Sequence, residues 1–272
     1  MPKFHVIPGP DSTPVYPGVR KIGPADLKDA LAKGYEDFVT MPSSLIFLGL
    51  IYPIVGIGVV AGSPLPLLFP LMSGFALIGP FAATGLYEIS RRRELGLDIS
   101  WKDAFGVMRS HSIFPILSLG LLLLVIFVGW EFTAQSLYVA LFGPAPPESF
   151  AQFVTNVFGT PQGWKLIVLG TATGFVFAVV ALSVSVVSFP MLLDRDVDVP
   201  VAILTSVRAV LTNPFTMALW GLIVAAILAI GFLLLFVGLA VAVPILGHST
   251  WHLYRKVVEP SGPTCLVPSR RA

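Results

Sequence analysis

Apolar and polar positions fall along this chain in long blocks. Residues 24–40 set Leu27, Leu31, Tyr35 and Phe38 at three- and four-residue steps among Asp26, Asp29, Glu36 and Asp37. That spacing predicts an amphipathic helix lying at a surface. Pro42 then opens an apolar run at 43–61, and a short turn at 62–66 leads to a second run at 67–87. The second run meets Tyr87, Glu88 and three successive arginines, Arg91, Arg92 and Arg93, as a helix does on leaving a bilayer on the cytoplasmic side. Ser100 opens another short amphipathic helix, with Asp103 as its capping-box partner. Pro115 leads into a run at 116–130, and a further run at 166–193 ends in Asp194-Arg195-Asp196. Between these two runs, 131–164 is expected to be a loop on the far side, its Leu137, Tyr138, Phe142, Phe150, Phe153 and Phe158 lying on the membrane surface or on neighbouring helices.

A third short helix is predicted at 200–211, and Pro214 begins a last apolar block, 215–254. Two spans joined by a turn between Gly231 and Gly238 fit a hydrocarbon core of about 30 Å, whereas one helix of about 60 Å overshoots it twofold. The expectation is an all-α membrane protein of six transmembrane helices. A module of surface helix, proline, span, turn and span recurs three times. Ala30, Ala104 and Ala202 stand at matching distances before Pro42, Pro115 and Pro214, and Pro80, Pro190 and Pro244 precede the polar ends of the second spans. Prolines and amphipathic helices are common enough in such chains that chance recurrence is the competing account.

Composition agrees with the pattern. Of 272 residues 55% are hydrophobic and 12% charged, about half the charge of a soluble domain. Lys and Arg number 17, and in a six-span topology with the N-terminus inside only Lys165 lies on the far side. Positive charge collects on the cytoplasmic side of membrane proteins, so both termini are placed in the cytoplasm. Residues 1–23 read as a cytoplasmic arm without a signal peptide, 24–259 as the membrane domain and 260–272 as a tail. The single Cys265 leaves no internal disulfide.

Candidate chemistry is sparse. His248 and His252 lie four apart on one helix face, a spacing at which imidazoles can ligate a metal or haem iron, with Tyr87, Glu88 and His111 expected at the same membrane level. The competing account makes Trp251, His252, Tyr254 and Arg255 an interfacial anchor. Glu88 is expected to pair with Arg92. With the spans bounded as above, none carries a mid-span charge of the kind ion carriers use, which disfavours a pump; Ser183, Ser185 and Ser188 keep a transport reading open. Gly58-x-x-x-Gly62 and Gly170-x-x-x-Gly174 suit close helix packing within the chain. No phosphate loop, nucleophile triad or metalloenzyme signature is present, and no nucleic-acid partner is indicated.

Three motifs carry a resemblance: Asp26-Leu27-x-x-Ala30-Leu31-x-x-Gly34-x-x-Asp37-Phe38; Gly79-Pro80-Phe81-Ala82-Ala83-x-Gly85-Leu86-Tyr87-Glu88-x-Ser90-Arg91; and Pro244-x-x-Gly247-His248-x-x-Trp251-His252-x-Tyr254-Arg255. With them the chain, from about 20 to 259, resembles predicted integral membrane proteins of unknown function found in α-proteobacteria, some labelled as cytochrome c oxidase proteins. The resemblance implies a bacterial inner membrane and supplies no activity. Four histidines, none mid-span, do not build the centres of an oxidase subunit. The expectation is a non-catalytic accessory, assembly or scaffolding protein of a larger membrane complex, plausibly a respiratory one, in contact with lipid and with other subunits or copies of itself. A small transporter on the threefold repeat is the alternative.

Overall fold

The computed structural model describes residues 17–41, 79–100, 103, 106–107, 112–145, 147–234 and 238–260. They form helices α1 (Pro24–Thr40), α2 (Gly79–Ala82), α3 (Thr84–Glu94), α4 (Ile113–Phe142), α5 (Phe150–Gly159), α6 (Pro161–Ser185), α7 (Ser188–Asp194), α8 (Val199–Thr212), α9 (Pro214–Leu233) and α10 (Leu239–Val257). The expected first span, 43–61, and most of the second lie outside the described residues.

Local chemistry sets most boundaries. α1 starts at Pro24, whose missing N–H costs nothing in the first turn, and the Asp26 carboxylate accepts from the Gly23 N–H at 2.9 Å. It stops at Met41, the residue before Pro42, because a proline pushes its predecessor out of the helical region. α8 stops in the same way at Asn213, before Pro214. The Ser100–Asp103 capping contact forms, with the Ser100 N–H on Asp103 Oδ2 at 2.7 Å. The last apolar block divides into α9 and α10 between Leu233 and Leu239, within the expected turn.

One expectation needs correction. The 131–164 loop is largely helical: α4 runs through Glu131 to Phe142, and α5 occupies Phe150–Gly159. A charged residue beside Trp130 was taken as the end of the span. Phe132, Leu137, Val139, Leu141 and Phe142 keep the run apolar beyond it, and an internal helix bond at every residue offsets one polar side chain. α4 is therefore 30 residues, about 45 Å long. Ser149 caps α5 by accepting from the Gln152 N–H at 3.2 Å, and Thr160 caps α6 by accepting from the Gly163 N–H at 3.0 Å.

Among the described residues, α4, the joined α6–α7 and α9 are long and apolar enough to cross a bilayer. Their outer faces keep large apolar side chains exposed, among them Phe114, Phe132, Phe175, Phe215 and Leu222, as a lipid-facing surface requires. α4 packs on α6 through small residues: Trp130 lies against Gly174 and Leu137 against Gly170, so the Gly170-x-x-x-Gly174 motif serves packing within the chain. α10 behaves differently. Most of its residues from Leu239 to Val257 are buried, under α1 on one side and α3 and α9 on others.

Candidate functional site

α1 presents Leu27, Ala30, Gly34 and Asp37 as one buried face, the three- and four-residue steps of a helix stripe. Gly34 permits the contact with α10: a Cβ there would lie 2.0 Å from Ser249 Oγ and 2.6 Å from the Ser249 backbone nitrogen. The close crossing carries the fourth member of the stripe, the Asp37 carboxylate, into the interior at 4% exposure.

Donors from two other helices meet it there. Ser90 of α3 donates its hydroxyl to Asp37 Oδ2 at 2.6 Å, and His252 Nε2 of α10 reaches the same oxygen at 2.9 Å. Arg93 of α3 donates to Asp37 Oδ1 and to Glu36 Oε1 at 2.8 Å. Ser90 Oγ also lies 2.6 Å from Nδ1 of the fully buried His248. The serine hydroxyl has one proton, and Asp37 takes it, so His248 Nδ1 must carry the hydrogen and donate to Ser90. That tautomer leaves His248 Nε2 a bare acceptor, and it has no hydrogen-bond partner among the described residues. Burial works to raise the Asp37 carboxyl. The hydrogen bonds from His252 and Ser90 outweigh it and hold the group below the usual carboxylate range.

A second ring of polar contacts surrounds this centre. Glu88, also buried, accepts from Arg91 Nε at 2.8 Å and from Arg92 Nε at 3.0 Å. Arg92 also pairs with Asp103 at 3.0 Å. Trp251 donates its indole N–H to Glu94 at 3.1 Å, and Tyr254 donates its hydroxyl to Asp194 at 2.7 Å. Arg255 bridges Glu94 and Asp194 at 3.0 and 3.3 Å. The extended segment before α1 closes the ring: Arg20 N–H donates to the Val257 carbonyl at 2.8 Å, and Asn213 Oδ1 accepts from Ile22 N–H at 2.8 Å.

The sequence-derived candidates thus fall into one neighbourhood. His248 and His252 sit at Asp37, and Arg93 joins them. Glu88 pairs with Arg91 as well as with the expected Arg92. Trp251 and Tyr254 are each 1% exposed, with their polar ends on Glu94 and Asp194. Tyr87 is buried; Pro80 and Gly85 shape α2 and the first turn of α3. His111 lies outside the described residues. Asp37 and Ser90 were the missed members, although both stand in the motifs quoted above. The signal for Asp37 was its register, on the stripe of Leu27, Ala30 and Gly34.

The chemistry this permits is limited. In a nucleophile triad the imidazole stands between serine and carboxylate and takes the hydroxyl proton. Here the serine stands between, donating its hydroxyl to Asp37 and receiving from His248, so the imidazole is not placed to take the Ser90 proton. One nitrogen of each imidazole is turned to Ser90 or Asp37, and among the described residues no group of three His, Cys, Asp or Glu side chains is placed to hold an ion. The arrangement is a clasp that joins α1, α3 and α10.

Long apolar helices with exposed apolar faces define a helical membrane protein. Residues 68–194 match the family described as Predicted integral membrane protein (DUF2189), and the chain is similar to it over that segment. Of the three motifs, only the one from Gly79 to Arg91 lies inside the matched range. No curated protein and no solved structure matches the chain.

Proposed function

We propose that the protein is a non-catalytic, six-span protein of the bacterial cytoplasmic membrane, with both termini in the cytoplasm, that scaffolds or helps assemble a larger membrane complex. One observation carries this reading. The side chains able to do chemistry at the clasp are committed to one another, with Asp37 receiving from Ser90, His252 and Arg93, while α4, α6 and α9 leave their apolar faces open to lipid and to partner helices.

The packing also supports a threefold repeat. α8 lies on α6 and α7, the second span of the preceding module, and α1 lies on α10, the second span of the last. Arg92 of α3 reaches Asp103, in the surface segment of the next module. Each surface element meets the span before it, which closes a ring of three.

Native extraction of C-terminally tagged protein in mild detergent, with mass spectrometry of what accompanies it, tests the scaffold reading. Stoichiometric recovery of other membrane subunits, respiratory ones included, is the expected result. Recovery of the protein alone would count against it. A transport reading gains from one residue, Glu131, which α4 carries within its length instead of at its end; proton flux in liposomes tests that reading separately.

A further inference from the structure

Glu131 lies 18 residues after Ile113 in α4, about 27 Å along the axis and so within the thickness of a 30 Å core entered at Ile113. Both of its carboxyl oxygens are buried, and neither has a hydrogen-bond partner among the described residues. The neighbouring residues on α4 pack tightly against α6: the Trp130 ring stands 5.7 Å from Phe177 and lies against Gly174. Thr133, the nearest hydroxyl along the helix, donates to the Gly129 carbonyl at 2.7 Å.

Among the described residues, the helices packed on α4 bring no charge to that level. On α6, Lys165 is nine residues from Gly174, about 14 Å along the axis. Asp194, at the end of α7, is about 30 Å from Gly174 in the other direction. Arg208 of α8 stands a short step from Ser206, whose hydroxyl meets Val187, about 20 Å from Gly174 along the axis. α2 and α5 carry no ionisable side chain. On α4 itself Tyr138 is two turns away, stacked on Phe142.

An ionised carboxylate without a cation or donor is strongly disfavoured in apolar surroundings, and such a group takes up a proton instead. We propose that Glu131 is a proton-binding site within the span, a carboxyl carried as the neutral acid that gives up its proton only when water or a cation reaches it. The assignment holds whether the protein scaffolds or transports, because it concerns the carboxyl and not net flux.

Infrared spectroscopy of the purified full chain in liposomes tests it. The difference between wild type and E131Q at pH 7 should contain the carbonyl band of a protonated carboxylic acid. Carboxylate bands in its place would overturn the proposal. Following the same band against pH in the wild type, with isotope-labelled glutamate, reads the proton without any variant. The protonated band should persist at pH 7 and vanish only at higher pH; a band present only in acid would overturn it. A hydrophobic fluorescent carbodiimide gives a second reading, since it adds to protonated carboxyls. Label at Glu131 and none on the arginine-paired Glu88 is expected. Protection of Glu131 by sodium but not by choline would replace the proton with a metal cation.

Discussion

α1 and α8 are two surface helices in the same register, each ending before a proline with nearly the same backbone: φ −129°, ψ 51° at Met41 and φ −127°, ψ 51° at Asn213. Counting back from those residues, Ala30 matches Ala202, Gly34 matches Ser206 and Asp37 matches Ala209. All six are buried. α8 completes its seat with a methyl group at the last position and one hydrogen bond, from Val187 N–H to Ser206 Oγ at 3.1 Å. α1 places a carboxylate there and gathers four polar side chains around it. The docking geometry does not need Asp37, since Ala209 does the same work. What Asp37 adds is selectivity for a matching set of donors, because a buried carboxylate without them is strongly disfavoured.

The comparison breaks most sharply at Asp37 itself. Asp37→Ala leaves His252 and Ser90 without their acceptor and Arg93 with Glu36 alone, and should cost about 3–5 kcal/mol, read as thermal unfolding in detergent. Asp37→Asn, which keeps the shape and one acceptor, should cost less. A loss for Asp37→Ala no larger than for a surface alanine would show that the clasp does not hold the fold. Gly34→Val comes next. Its Cβ runs into the Ser249 backbone and should cost about 1–3 kcal/mol by overpacking, whereas Ser206→Ala, which only removes a hydroxyl, should lose about 1 kcal/mol. If the two were equal, the crossings would not differ in closeness.

Acid should separate the two helices further. The Asp37 carboxyl is held below its usual range in the folded protein, so its contribution is complete above the unfolded value and disappears as pH falls through the lower folded one. The part of the clasp's stability that Asp37 contributes should therefore decline below the usual carboxylate range. Asp37→Asn should flatten that decline, while Ser206→Ala should leave it unchanged. Amide hydrogen exchange along α1 and α8 at falling pH distinguishes these outcomes, and parallel loss of protection in both helices would contradict them.

Much of the fold was legible in the sequence because prolines and apolar runs act locally. The ends of α1, the start of α9 and the turn before α10 each follow from the few residues around them. The length of α4 was not legible from Glu131, since one carboxylate does not say whether the helix ends or swallows it. The site was half legible. His248, His252 and the arginines stood out by type, but Asp37 looked like one more polar residue of an amphipathic helix. Only the face it shares with Ala30 and Gly34, and the partner helix some 200 residues away, make it a centre.

That separation also orders the events of synthesis. Asp37 and His252 are 215 positions apart, and at about 5–20 residues per second a ribosome needs about 10–40 s to bridge them. α1 therefore has to wait for α10, the helix it packs on. An amphipathic α1 can wait on the membrane surface, its carboxylate still in water. It buries Asp37 only when α10 arrives to pack on Gly34 and bring His252 to the carboxylate. Completion of the clasp therefore reports that the chain has been read through to α10, and a nascent protein stalled before that point keeps an undocked α1 that membrane proteases can find.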